Sequence, residues 1–283
     1  MLVTLKDILA IAEEQGIAVG SFNTPNLTAL QAVLGAAEAL GQPVILMHAE
    51  VHEEMGLCRM EEIAPIMLLL ADRAQVPVCV HLDHGTDMTY VLRGLKLGFT
   101  SVMYDGSALP EADNTRNTRA VAIMAARFGA SVEAEIGSMG TREGGGADGS
   151  AVYTDPAAAA RFAENTGIDA LACAFGTAHG FYRTAPKLDF ARIPLIQAQA
   201  DLPLVLHGAS GLPDTVVREA VAKGMAKVNF ATELRQTFTE AVRRALAQEP
   251  QGFDPKKYLD QGRKSVQKLV EQKIQVCGAA GQA

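Results

Sequence analysis

The stretch PVCVHLDHGTD, residues 77–87, changes character halfway. From Pro77 to Val80 it is apolar or readily buried, as a strand covered on both faces would be. It then places His81, Asp83 and His84 immediately before Gly85. α/β enzymes present their chemistry in this way, on a strand that runs into a glycine turn with ionisable groups at its C-terminal end. The expectation is that His84 holds a metal and Asp83 moves a proton.

Seven further runs of the same kind flank it: Ala18–Asn23, Pro43–His48, Ser101–Asp105, Ser131–Glu135, Ala170–Gly176, Pro203–His207 and Lys227–Ala231. Helical spacing of apolar residues fills the gaps, as in Leu27-Leu30-Val33-Leu34 and Thr118-Val121-Ala122-Ala125. Thr4, with Asp7 three residues on, opens a first helix whose apolar stripe is Leu5, Ile8, Leu9 and Ala12. Strand-helix units repeated without a linker predict one (β/α)8 TIM barrel over residues 1–283, with extra C-terminal helices from about 233 to 276. A doubly wound open sheet is the alternative. The glycine-rich stretch from Gly137 to Asp155 follows the fifth of these strands and reads as a lid over the catalytic face.

Composition narrows the function. Apolar residues make up 48% and charged ones 20%, an ordinary globular balance, and a net charge of −7 argues against a nucleic-acid surface. The four cysteines lie far apart with no CxxC pair, which points to a reducing cytoplasm rather than a disulfide framework. The apolar run Ile63–Ala71 is too short to span a bilayer, and the first ten residues do not read as a signal peptide.

In a barrel all the strand ends meet on one face. His84, His179 in GTAHG and His207 in VLHGASG then converge, three imidazoles being what a catalytic zinc needs. Asp83 suits proton transfer, while Asp105 and Glu135 end two strands where a second cation, divalent or monovalent, would sit. His48 and His52 in HAEVHEE read as pocket rim and solvated helix start, and His81 as packed. Gly208, Ala209 and Ser210, with Asn229, Phe230, Ala231 and Thr232, offer backbone N–H groups and a helix N-terminus to a phosphate.

The blocks AVGSFN, HLDHG, SVMYDGS, SVEAEIG, YTDP, GTAHG, PLVLHGASGL and KVNFATEL resemble the class II, zinc-dependent ketose-bisphosphate aldolases, nearest the tagatose- and fructose-bisphosphate members. The resemblance implies Zn²⁺ on His84, His179 and His207, with Asp83 as acid/base at the C4 oxygen. It implies that Glu143 moves the carbon-bound proton and that Asn23, Gly180 and the two phosphate loops bind dihydroxyacetone phosphate. The resemblance matches Arg263, in YLDQGR, to an arginine that reaches a neighbour's distal phosphate, the alternative being a surface helix charge. The expected partner is a small-molecule sugar phosphate, with no nucleic acid and no membrane, on a homodimer or homotetramer. Two features depart from the family pattern, GGGADGS after Glu143 and HAEVHEE where small hydroxyl residues are common. Both bear on the aldehyde half of the sugar. The competing readings are an aldolase for another ketose phosphate, a non-catalytic partner subunit and a metal-dependent hydrolase.

Overall fold

The computed structural model describes residues 1–137, 153–177 and 186–278. Its strands are β1 (Leu2–Val3), β2 (Val19–Asn23), β3 (Val44–Ala49), β4 (Val78–Gly85), β5 (Ser101–Tyr104), β6 (Ser131–Ile136), β7 (Ala170–Cys173), β8 (Leu204–Leu206) and β9 (Met225–Phe230). Between them run α1 (Leu5–Gln15), α2 (Leu27–Leu40), α3 (Glu50–Glu54), α4 (Met60–Arg73), α5 (Met88–Leu97), α6 (Glu111–Ala126), α7 (Pro156–Thr166), α8 (Arg192–Ala200) and α9 (Asp214–Ala222). The last two helices are α10 (Thr232–Gln248) and α11 (Pro255–Cys277).

Strands β2 to β9 pair in parallel in the order β4-β3-β2-β9-β8-β7-β6-β5, and β5 pairs back onto β4. The sheet closes on itself with helices outside, so the architecture is the expected (β/α)8 barrel and not an open sheet.

The ninth strand escaped the sequence reading. β1 lies against the start of β4, Leu2 beside Val78 and Val3 beside Cys79, below the point where β5 joins β4 at His81. It delivers α1 to the N-terminal end of the barrel. There Leu5, Ile8, Leu9 and Ala12 pack against the interior side chains Ile45, Met47, Cys79, Met103, Ala172 and Val205, closing that end. Thr4 and Asp7 do form the expected capping box, with Asp7 N–H donating to Thr4 Oγ1 at 3.2 Å and Thr4 N–H to Asp7 Oδ2 at 3.1 Å.

Alternation along each strand decides what the open end contains. On β4, Val78, Val80 and Leu82 face the helices, leaving Cys79, His81 and Asp83 inside. On β6, Val132, Ala134 and Ile136 face out and Glu133 and Glu135 face in. On β9, Val228 and Phe230 face out and Lys227 and Asn229 in.

β4 is longer than expected and carries His84 within it rather than after it. α11 folds back over the outside, burying Val266, Val270 and Ile274. Its Cys277 carbonyl accepts from Ala18 N–H at 3.0 Å, beside the first barrel strand. All four cysteines are free. Among the described residues no helix is long and apolar enough to cross a membrane.

Candidate active site

Asp83, His84 and His207 meet at the C-terminal end of the barrel, with ligand atoms all within 4.8 Å of one another. The local backbone explains how His84 reaches its place. Its φ is 47°, in the left-handed region, and the β4–β5 register shifts between Leu82 and Gly85. The turn needs glycine at 85, because a Cβ there would lie 2.7 Å from Val91 Cγ2 and 3.0 Å from the Met103 carbonyl.

Hydrogen bonds fix both imidazoles. His84 Nδ1 donates to Asp105 Oδ2 at 2.9 Å, and His207 Nε2 lies 2.7 Å from Glu133 Oε1. An ionised carboxylate only accepts, so the nitrogen facing it carries the proton. The other two nitrogens, His84 Nε2 and His207 Nδ1, face one another at 2.9 Å. Two lone pairs at that separation need a proton or a cation between them. Two nitrogens on one tetrahedral zinc, each at about 2.0–2.1 Å, stand about 3.3 Å apart, a small opening of the arrangement seen.

Buried charges set the electrostatics of the cluster. Burial opposes charge on His84, yet Asp83, Asp105 and Glu135 outweigh it and raise its pKa to about 9. Burial raises Asp83, but His84, His207 and Lys227 bring it below the usual carboxylate value. His207 is pulled down by burial. Glu135 is pushed up to about 8 by burial and by Asp105, and its Oε2 has no hydrogen-bond partner among the described residues. With His84 and Asp105 it makes a second cluster of potential ligands.

The remaining candidates fall around this centre. Asn229 Nδ2 lies 3.4 Å from both Asp83 Oδ1 and His207 Nδ1. Ala231 N–H donates to Ser210 Oγ at 3.0 Å, which ties the loop after β8 to the start of α10. Gly208 takes a φ of 70°, and Ala209 is buried; Thr232 is the first residue of α10. Phe230 turns its ring outward onto Phe22, centroids 5.4 Å apart, so only its main chain is available to a ligand. Arg263 pairs with Asp260 on its own helix at 2.8 Å. Glu143, His179, Gly180 and most of the Gly137–Asp155 stretch lie outside the described residues.

The HAEVHEE histidines are not solvated, as the sequence had indicated, but buried. His48 Nε2 donates to Tyr90 Oη at 3.1 Å, and Tyr90 donates on to Glu53 at 3.3 Å. His52 Nδ1 accepts from Ala49 N–H at 3.2 Å, so its Nε2 carries a proton, directed at the Asn23 amide 3.3 Å away. The amide must meet that proton with its oxygen. Glu133 and Lys227 were missed altogether. Their signal was present in the alternation of SVEAEIG and KVNF, where each shares a face with a predicted site residue.

Comparison with known proteins bears on the fold and the family. The family model for class-II fructose-bisphosphate aldolase matches residues 3–282. Among solved structures, the YdjI aldolase from Escherichia coli K12 superposes with a TM-score of 0.88 at 34% identity, covering 100% of both chains. Fructose-bisphosphate aldolase from Campylobacter jejuni shares the fold, with a TM-score of 0.83 at 23% identity over 98% of this chain and 95% of that one. The chain belongs to the class II fructose-bisphosphate aldolase family. It is therefore an aldolase, a lyase acting on carbon–carbon bonds, of a class that uses zinc. The paired imidazoles beside Asp83 fit that ion.

Proposed function

We propose that the chain catalyses the reversible retro-aldol cleavage of a ketose 1,6-bisphosphate, tagatose or fructose, to dihydroxyacetone phosphate and glyceraldehyde 3-phosphate. The observation that carries this reading is the 2.9 Å approach of His84 Nε2 to His207 Nδ1, each ring oriented by a carboxylate, within reach of Asp83. His84, His207 and His179 are the proposed zinc ligands, with Asp105 and Glu135 for a second cation. Zinc, when bound, supplies Lewis-acid stabilisation of the charge that develops on the substrate. Asp83 takes the C4 hydroxyl proton as the C3–C4 bond breaks, held ionised by its cationic surroundings. Glu143 returns a proton to the carbon left behind. Asn229, placed between Asp83 and His207, orients the reacting end of the sugar. Gly180, Gly208 to Ser210 and the backbone from Phe230 to Thr232 hold the phosphate, next to the N-terminus of α10.

One observation favours a related substrate. Asn23, a proposed substrate contact, is tied to buried His52, so this corner of the pocket differs from a site lined by small hydroxyl residues. That supports an aldolase of the same class for another ketose phosphate.

Parallel assays of triose-phosphate release from the two bisphosphates test the proposal. Release from either one, lost on EDTA treatment and restored by Zn²⁺, is expected. Activity that survived chelation and was lost on borohydride treatment with substrate would point to a lysine Schiff base instead and refute it.

A further inference from the structure

Below the metal cluster the barrel interior holds three polar residues that the proposed reaction does not use, Glu133, Lys227 and His81, and like His207 above them they are fully buried. Glu133 divides its carboxylate, with Oε1 2.7 Å from His207 Nε2 and Oε2 2.8 Å from Lys227 Nζ. His81 Nε2 stands 3.5 Å from the same Oε2, and its Nδ1 is 2.8 Å from Ser101 Oγ. A barrel can be filled at this level by branched apolar side chains, and a buried ion pair is a poor source of net stability. The pair therefore calls for another explanation.

We infer that Glu133, held by Lys227, is a positioning residue that fixes the tautomer of His207 and so presents Nδ1 as its ligating nitrogen. This rests on the reading of His207 as a metal ligand. The imidazole could otherwise carry its proton on either nitrogen, and only one form offers a lone pair toward His84. A carboxylate against Nε2 selects that form. Lys227 supplies the counter-charge that lets a carboxylate sit at this depth without water. His81 closes the other side of Oε2, where its hydrogen bond to Ser101 sets the ring.

The test is zinc affinity, read by competition with a chromogenic chelator, in the Glu133→Gln/Lys227→Met double variant. Removing both charges together leaves neither one buried alone, which favours a folded product. With folding verified by circular dichroism, zinc is expected to bind about 10–100-fold more weakly than in the wild type. Unchanged affinity in the folded variant would overturn the inference, since a filler pair would alter stability and not the metal. A wild-type chain that took up no zinc would overturn the proposed function, and this inference with it.

A second readout does not depend on the variant. In ¹⁵N-histidine NMR spectra of the zinc-free wild type, His207 should carry its proton on Nε2. A proton found on Nδ1 would sink the inference even if the double variant failed to fold.

Discussion

His84 occupies a backbone conformation that costs most residues on the order of 1 kcal/mol or more, and it does so at the end of a buried strand. The bend turns the imidazole from the line of β4 toward His207 while leaving Asp83, one residue earlier, inside the barrel. Two adjacent residues thus face one centre, which a regular strand does not allow. Their roles separate by substitution. Asp83→Asn is expected to lower kcat by about 10²–10⁴-fold while zinc content, measured by elemental analysis, stays at the wild-type level. Loss of the zinc as well would make Asp83 a ligand, a role its place in the cluster also permits.

Among the elements, α1 closes the N-terminal end of the barrel and α11 packs on its outside. Ile8 of α1 is fully buried against the interior side chains, and Ile8→Ala should cost about 2–5 kcal/mol, read from the shift in urea midpoint. On α11 a side chain at Gly262 would collide with the Phe238 ring of α10. Gly262→Ala is expected to destabilise by about 1–3 kcal/mol through overpacking, despite alanine's better helix propensity. The same denaturation series would test it.

The strands were legible because each buried run ends in a polar break, and Asp83, Asp105, Glu135 and His207 could be read from those ends. Glu133 and Lys227 were not, because a charge in mid-strand carries no such punctuation; only counting faces along the strand exposes it. β1 is two residues long, too short for any pattern. The burial of His48 and His52 depends on Tyr90 and Asn23, partners distant in sequence.

For the molecule as a whole, the histidines predict how stability answers to pH once zinc is removed. Burial lowers the pKa of His48 to about 4 and, with neighbouring positive charge, those of His52 and His81 to about 3. Below pH 6.5 the unfolded chain takes up protons that these three rings refuse, so stability falls as pH falls. Glu135 acts in the opposite sense. Its pKa of about 8 means that the folded state keeps a proton which the unfolded chain releases above pH 4.5, so it adds stability as pH drops from 8 to 4.5. His84, raised to about 9, changes little below 6.5. His207, also lowered by burial, adds in the same sense as the three rings, so these protons together leave the folded state weaker at pH 5 than at pH 6, by roughly 2 kcal/mol or more. Urea titrations of the chelated protein at the two pH values measure it, and equal stability would contradict the burial of these rings.

The docking of α11 beside β2 also sets a schedule for synthesis. Ala18 leaves the ribosome well before its hydrogen-bonding partner, Cys277, is translated. At about 5–20 residues per second the opening strand waits roughly 13–50 s for that cover. A nascent chain halted before residue 255 would expose the apolar surface that α11 shields, and should be held by chaperones rather than released as a finished barrel.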